Sequence, residues 1–329
     1  MTRLGFTGDV MLGRLINERQ QRRSVSGVWG NVEGTLRALD GLFINLECCL
    51  SAGGTLWTDT YRPFHFRADP DWAIPALESV GVEWANLANN HVLDYGPDAL
   101  ADTVGHLDDA EIRHSGAGAD LEAACSPAFV TVDGLEVAFV SFTDNTPEFA
   151  AKSDKAGTAY VNFDVTHPQA VRRVGRSLAR ARTEDPDLLV ASLHWGPNMR
   201  TEPTVEFREF ARWLAEEGVD IVHGHSAHVF QGVEVIDDTL VLYDTGDFVD
   251  DYATDSERHN DRGFLFEVTV SDGELSELRL RPTEIYDLAV HEAEHYAGTW
   301  SVQRMDALSS AFGTELQRDN DDLVLSLSS

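Results

Sequence analysis

The sequence predicts an α/β protein in which two mixed sheets pack face to face with helices outside. Three observations lead there. Short apolar runs alternate with helical patterns over roughly residues 4–114, as parallel strands joined by right-handed crossovers do. Two-residue turn signals then mark hairpins, so each half of the chain runs parallel first and antiparallel afterwards. Five apolar runs also end in residues that bind metals or move protons: Leu4–Asp9, Leu42–Glu47, Val82–His91, Leu188–His194 and Val219–His228.

The elements follow in order. Leu4–Thr7 reads as a first strand ending at Gly8-Asp9, and Val10–Arg14 leads into a helix through Ile16 and Arg19. Asn31–Leu39 reads as a helix and Leu42–Leu46 as the second strand. Residues 51–68 form a loop rich in Gly, Thr and aromatics that carries Arg62, His65 and Arg67. Asp71–Ser79 is a helix stopped by Gly81, and Val82–Leu87 is the third strand. Pro97 starts a helix to Leu107, and Ile112–His114 is a short strand. Asp133-Gly134 joins Ala128–Val132 to Leu135–Phe142 as a hairpin.

Thr166–Arg182 is a long helix with Val171, Val174 and Leu178 inward. Arg172, Arg173, Arg176, Arg180 and Arg182 face outward, which reads as a solvated face paired with acidic neighbours. Asp187–Leu193 is a strand that delivers His194, and Val205–Glu217 is a helix ended by Gly218. Phe230–Ile236 and Thr239–Tyr243 form a second hairpin. Residues 249–262 are acidic and mobile-looking, and Gly263–Val270, Glu274–Arg281 and Ile285–Leu288 continue as antiparallel strands. Residues 291–311 close the fold as a helix. No linker is visible, so residues 1–311 read as one domain and 312–329 as a polar tail.

Composition narrows the class. Asp and Glu number 56 against 25 Lys and Arg, a formal net charge of −31, and Lys152 and Lys155 are the only lysines. Such a surface suits molar salt, where screening shortens to about 3 Å, so a halophilic source is expected. The same field disfavours nucleic acid and anionic membranes as partners. An anionic substrate would need a local cation, either a metal or arginines. Cys48, Cys49 and Cys125 give no disulfide framework. No secretory apolar region and no run of about 20 apolar residues is seen, which predicts a soluble cytoplasmic protein. The oligomeric state is not legible.

In open α/β sheets, sites form at the carboxyl ends of strands. Asp9, Glu47, Asn90, His91, His194, His225 and His228 are therefore expected to converge. Histidine, carboxylate and asparagine together suit Zn, Mn or Fe better than Ca or Mg. His223 is expected to be structural.

These blocks also match a known family. GDVMLGR (8–14), NLE (45–47), NNHVLDYG (89–96), HWG (194–196), GHSAHV (224–229) and GDF (246–248) resemble the CapA proteins of poly-γ-glutamate capsule synthesis. That family looks like a branch of the calcineurin-like metallophosphoesterases. The resemblance implies a four-layer αββα sandwich. It implies Asp9, Glu47, Asn90, His194, His225 and His228 as metal ligands and His91 as general acid. Two departures matter. The first block carries Met11 where phosphoesterases carry histidine, and the last block is one residue longer. One well-held metal is therefore expected at Glu47, Asn90, His194 and His225, with a weaker second at Asp9, Glu47 and His228. Asn45, Asp94 and Asp247 are expected to orient ligands. Arg14, Arg62, Arg67, Trp195 and Arg200 are candidates for holding an anionic small-molecule or polymer substrate.

Three functions remain open at this stage. One is metal-dependent hydrolysis of a phosphoester or related anionic bond. Another is a non-catalytic binding or scaffold role in polymer synthesis or export. The last is hydrolysis of γ-glutamyl amides.

Overall fold

The computed structural model describes residues 1–327. Thr2–Val10 forms the centre of the first sheet because its side chains alternate between two buried faces. Leu4 and Phe6 point into one core, while Val10 belongs to the other. Gly41–Leu46, Val82–Asn86 and Arg113–Ser115 extend the sheet in parallel on one side. Arg262–Ser271 and Glu274–Tyr286 extend it antiparallel on the other. The second sheet runs Val233–Ile236, Thr239–Leu242, Ile221–His225, Leu188–His194, Leu135–Thr143, Ala128–Val132. Its four inner strands are parallel, and a hairpin closes each edge.

Three apolar clusters separate four layers. Phe6, Phe43 and Trp84 of the first sheet meet Phe139, Val190 and Ile221 of the second in the central core. Trp84 stacks on Phe139 with ring centroids 4.1 Å apart, and Phe43 meets the same ring edge-on at 4.8 Å. Each such buried side chain contributes about 1.5–3 kcal/mol. Helices Pro70–Ser79 and Gly96–Asp109 cover the outer face of the first sheet through Ala73, Leu77, Leu100 and Leu107. Helices Pro168–Ala181 and Val205–Glu216 cover the second through Val174, Leu178, Phe210 and Leu214. This is the αββα sandwich of a metallophosphoesterase-like α/β fold.

Four expectations from the sequence need correction. Asn31–Leu39 is not one helix: a 3-10 stretch, Val25–Val32, leads into a single turn, Glu33–Leu36, because Gly30 at φ +44° breaks the helical path. Residues 312–329 are not a free polar tail. Asp322–Ser326 pairs onto Glu274–Tyr286, and Gln317–Asp319 pairs in turn onto Asp322–Ser326, with Leu323 and Leu325 packed on the central core. A boundary at residue 311 therefore cuts through a sheet; the tail's last two residues lie outside the described ones. Residues 249–262 are packed rather than mobile-looking, with Asp250, Asn260 and Arg262 buried. Finally, the halves exchange strands. The Ala128–Thr143 hairpin opens the second sheet, and the late antiparallel strands return to the first.

The strand tips approach closely. A Cβ on Gly8 would sit 1.9 Å from the Gly246 carbonyl oxygen, and one on Gly224 would sit 2.0 Å from that of Tyr243. Only glycine permits this contact, and it brings the carboxyl ends of both sheets into one place.

Candidate metal centre

Asp9 is held by its neighbours in register. It pairs with Asn45 on one side and Asp247 on the other. Asn45 Nδ2 donates to Asp9 Oδ1 at 2.6 Å, and Asn86 and Asn89 donate in turn to Asn45 Oδ1. Asn89 therefore fixes both the Asn45 amide and the turn after it, where its own Oδ1 accepts from the His91 and Val92 amides. Glu47 follows one residue beyond its strand and is fully buried.

The second sheet supplies the imidazoles. Side chains at positions 221, 223 and 225 share a strand face, so His223 and His225 both point between the sheets. Ser192 Oγ lies 3.0 Å from His225 Nε2 and 3.2 Å from His223 Nδ1. His225 Nδ1 is thereby left to face His194 Nδ1 at 2.8 Å. His223 is structural as expected: its Nε2 donates to the Thr7 carbonyl at 2.8 Å, tying the two sheets together. His228 reaches the site through a left-handed backbone at φ +59°, beside Ser226 at φ +115°. Strain of this kind persists only where surrounding contacts over-determine it. Its Nδ1 lies 2.8 Å from Asp247 Oδ1 and 3.4 Å from Asp9 Oδ2.

Two groups of ligand atoms result, one of Asp9, His194 and His225, the other of Asp9, Glu47, His228 and Asp247. Asp9, not Glu47, is common to both, and Asp247 stands inside the second group rather than behind it. Asn90 Oδ1 lies 2.9 Å from His194 Nε2, beside the first group. Met11 is out of play, since its Sδ accepts from the Gly13 amide.

The electrostatics fit a cation. Burial pushes His194 down to about 3 and also lowers His225, next to His194 and His223. Both rings are thus neutral, the form that ligates metals. Burial works to raise Asp9, but His228, 3.4 Å from Oδ2, and the nearby imidazoles hold it well below the usual carboxylate range. Glu47 is raised by burial and by the charge of Asp9, and Asp247 by burial against the pull of His228. Burial opposes charge on His228, yet Asp247 and Asp9 keep it well above an ordinary histidine. Asp9 Oδ2, both Glu47 oxygens and Asp247 Oδ2 are buried without hydrogen-bond partners. Unpartnered buried carboxylate oxygens cost several kcal/mol. A divalent ion satisfies them and reverses the rise in their pKa values, so the residues present could hold a metal.

His91 stands beside this cluster. Its Nδ1 lies 2.6 Å from Asp94 Oδ2, its ring stacks on Phe66 at 3.8 Å, and its Nε2 lies 3.9 Å from Glu47. Burial lowers its pKa despite Asp94. Asp94 also pairs with Arg62 Nε at 3.2 Å. Arg62 further donates to the Asn90 carbonyl and to Thr146 Oγ1. The cavity above measures about 620 Å³ and is lined by Arg14, Arg62, Phe64, Phe66, His91 and Tyr252, among others. Arg14 lies over the Phe64 and Phe66 rings and pairs with Asp251.

Three substrate candidates are placed elsewhere. Arg67 donates to the Gly53 carbonyl and covers Tyr95. Trp195 is buried between sheet and helix, where Nε1 donates to the Tyr243 carbonyl and the ring packs on Phe163 and Phe207. It alternates with His194 along the strand and so faces the other way. Arg200 borders a separate small cleft. Sequence reasoning missed Phe66 and Tyr252, which wall the cavity, because neither lies in a metal-type block. Cys48 and Cys49 are fully buried and away from the cavity lining.

The chain thus has a metallophosphoesterase-like α/β fold with a buried histidine–carboxylate cluster that could bind a metal ion. Residues 3–252 match the family model described as bacterial capsule synthesis protein PGA_cap, and the chain belongs to that family. A probable polyglutamine synthesis accessory protein of Mycobacterium tuberculosis is 32% identical over 308 residues, which is 90% of this chain and 80% of the relative. The PGA biosynthesis protein CapA of Bacillus subtilis is 27% identical over 248 residues, 75% of this chain and 62% of the relative. A hypothetical protein from Thermus thermophilus, known from its crystal structure, shares the fold. Its TM-score is 0.51 at 17% identity, covering 87% of this chain and all of that one. Among the described residues no helix is long and apolar enough to cross a membrane.

Proposed function

We propose that this protein is a metal-dependent hydrolase acting on a phosphoester or related anionic bond, within capsule-polymer metabolism. The observation that carries the reading is the His91–Asp94 pair beside a cluster of orphaned, buried carboxylate oxygens, on the floor of an open cavity. Asp9, Glu47, His194, His225, His228 and Asp247 would hold one or two ions of Mn, Zn or Fe, with Asn90 beside them. Such an ion supplies Lewis-acid stabilisation of the charge that develops on the scissile group.

The chain's own residues divide the remaining work. Asp94 holds His91 Nδ1 and favours the protonated ring, whose Nε2 would give its proton to the leaving oxygen as a water oxygen bonds to the scissile atom and the leaving bond breaks. Arg14 offers the anionic end of the substrate a cation in an otherwise acidic molecule. Phe64, Phe66 and Tyr252 wall the site and exclude water. A second substrate is the γ-glutamyl amide, in keeping with relatives that take part in PGA biosynthesis; on it the same proton delivery would serve a leaving amine.

The test is elemental analysis of the purified protein, followed by a panel of phosphomonoesters, phosphodiesters and γ-glutamyl peptides. Turnover by wild type that disappears in His91→Ala, with metal content retained, is the expected result. Full metal occupancy with no turnover of any panel member would replace catalysis by a binding role.

A further inference from the structure

Helix Pro168–Ala181 carries four arginines and no carboxylate, in a chain where acids outnumber bases more than two to one. The sequence pattern pairs these arginines with acidic neighbours. The structure does not: among the described residues none of Arg172, Arg173, Arg176 and Arg180 forms an ion pair. Arg173 donates to the Tyr160 carbonyl and Arg180 to Ser126 Oγ. Arg172 and Arg176 are exposed, with no partner. All four line a cavity of about 500 Å³ between this helix and the turn Leu121–Ala124. Two acids border it, Asp120 and Glu122; Asp120 is engaged in capping Ala123. Arginine thus dominates the lining, and exposed Lys152 stands next to its Ser153 edge.

We propose that this groove binds an extended polycarboxylate chain. Arg172, Arg176 and Arg180 recur every four residues, so they form one stripe about 12 Å long at 1.5 Å per residue. A single small anion reaches one or two of them, whereas a chain with repeated carboxylates meets all three. The lining holds no aromatic ring, so bases would have nothing to stack on, which disfavours single-stranded nucleic acid. The choice of polymer rests on the capsule reading above.

Topology gives the groove a direction. The helix connects two parallel strands, Leu135–Thr143 and Leu188–His194, and must run back against them. Its first turn, and Arg172 with it, lies toward the end of the sheet that carries the metal centre. A polymer laid along the stripe is thereby guided toward the catalytic face.

Fluorescently labelled glutamate oligomers of graded length, titrated by anisotropy over salt concentrations at which circular dichroism shows the protein folded, test this. Affinity should rise with length until the oligomer spans three guanidinium groups, and fall with salt. The double variant Arg172→Gln/Arg176→Gln should lose at least about tenfold in affinity while keeping its metal content and Tm. Unchanged binding in that variant, no binding by wild type, or equal competition by an oligonucleotide of the same charge would each overturn the proposal. Binding lost in Asp9→Asn but kept in the double variant would place the polymer on the metal centre instead. Failure to hydrolyse any substrate, with oligomer binding intact and arginine-dependent, would sink only the hydrolase reading.

Discussion

The two sheets bring unlike chemistry to one site. The first delivers oxygen: Asp9, Glu47 and, from the strand beside Asp9, Asp247. The second delivers nitrogen: His194, His225 and, just beyond its strand, His228. One ligand group is accordingly nitrogen-rich and the other oxygen-rich, and Asp9 is the residue they share. The lesson concerns selectivity. Imidazole suits Zn and Fe, while carboxylate suits Mn, so the two groups, if both hold ions, would differ in the metal they prefer.

The sharpest way to break that comparison is Asp9→Asn. It removes the shared carboxylate, so elemental analysis should find both positions depleted and hydrolysis reduced by roughly 10³-fold. His91→Ala comes next, with kcat lower by about 10²–10⁴-fold and metal content unchanged. Loss of metal there would move His91 into the ligand set. Single-sided changes sharpen the contrast further. His194→Ala should weaken Zn binding and spare Mn, and Glu47→Gln should do the opposite, each by about 10–100-fold measured by competition with a chelator. Equal loss of both metals in both variants would show one merged site. Asp247→Asn should do less. It should weaken Mn binding and lower the His228 pKa toward the ordinary imidazole range, read by NMR titration of the metal-free protein, because the carboxylate that pairs with His228 is gone. The smallest effect lies away from the centre. Burial pushes the Cys48 thiol up to about 12, so almost no thiolate forms at neutral pH. Thiol reagents should leave Cys48 and Cys49 unmodified until the protein unfolds.

Much of this arrangement is legible in the sequence. Short continuous apolar runs locate most central strands, because burial on both faces leaves little choice of residue. Strand-end position locates Asp9, Glu47, His194, His225 and His228. What stays hidden depends on distances across the fold. That Asp9, rather than Glu47, falls in both groups of ligand atoms depends on its register against Asp247, which no local pattern records. Trp195 follows His194 and so suggests a pocket wall, yet alternation sends it to the opposite face. Arg67 and Arg200 fall near motif loops in sequence but find backbone and cleft partners elsewhere. The segment 249–262 reads as mobile because it is acidic. Asp251 meets Arg14 and Asp250 is buried near Asp247, so these two acids belong to the site, while Asp255 and Glu257 stay at the surface.

His223 has a consequence of its own. It hangs from Ser192 on one sheet and grips the Thr7 carbonyl on the other, directly beneath the ligands. That fastening ties the oxygen half to the nitrogen half below the cavity, whose mouth is bordered by exposed Tyr61 and Phe64 of the 51–68 loop.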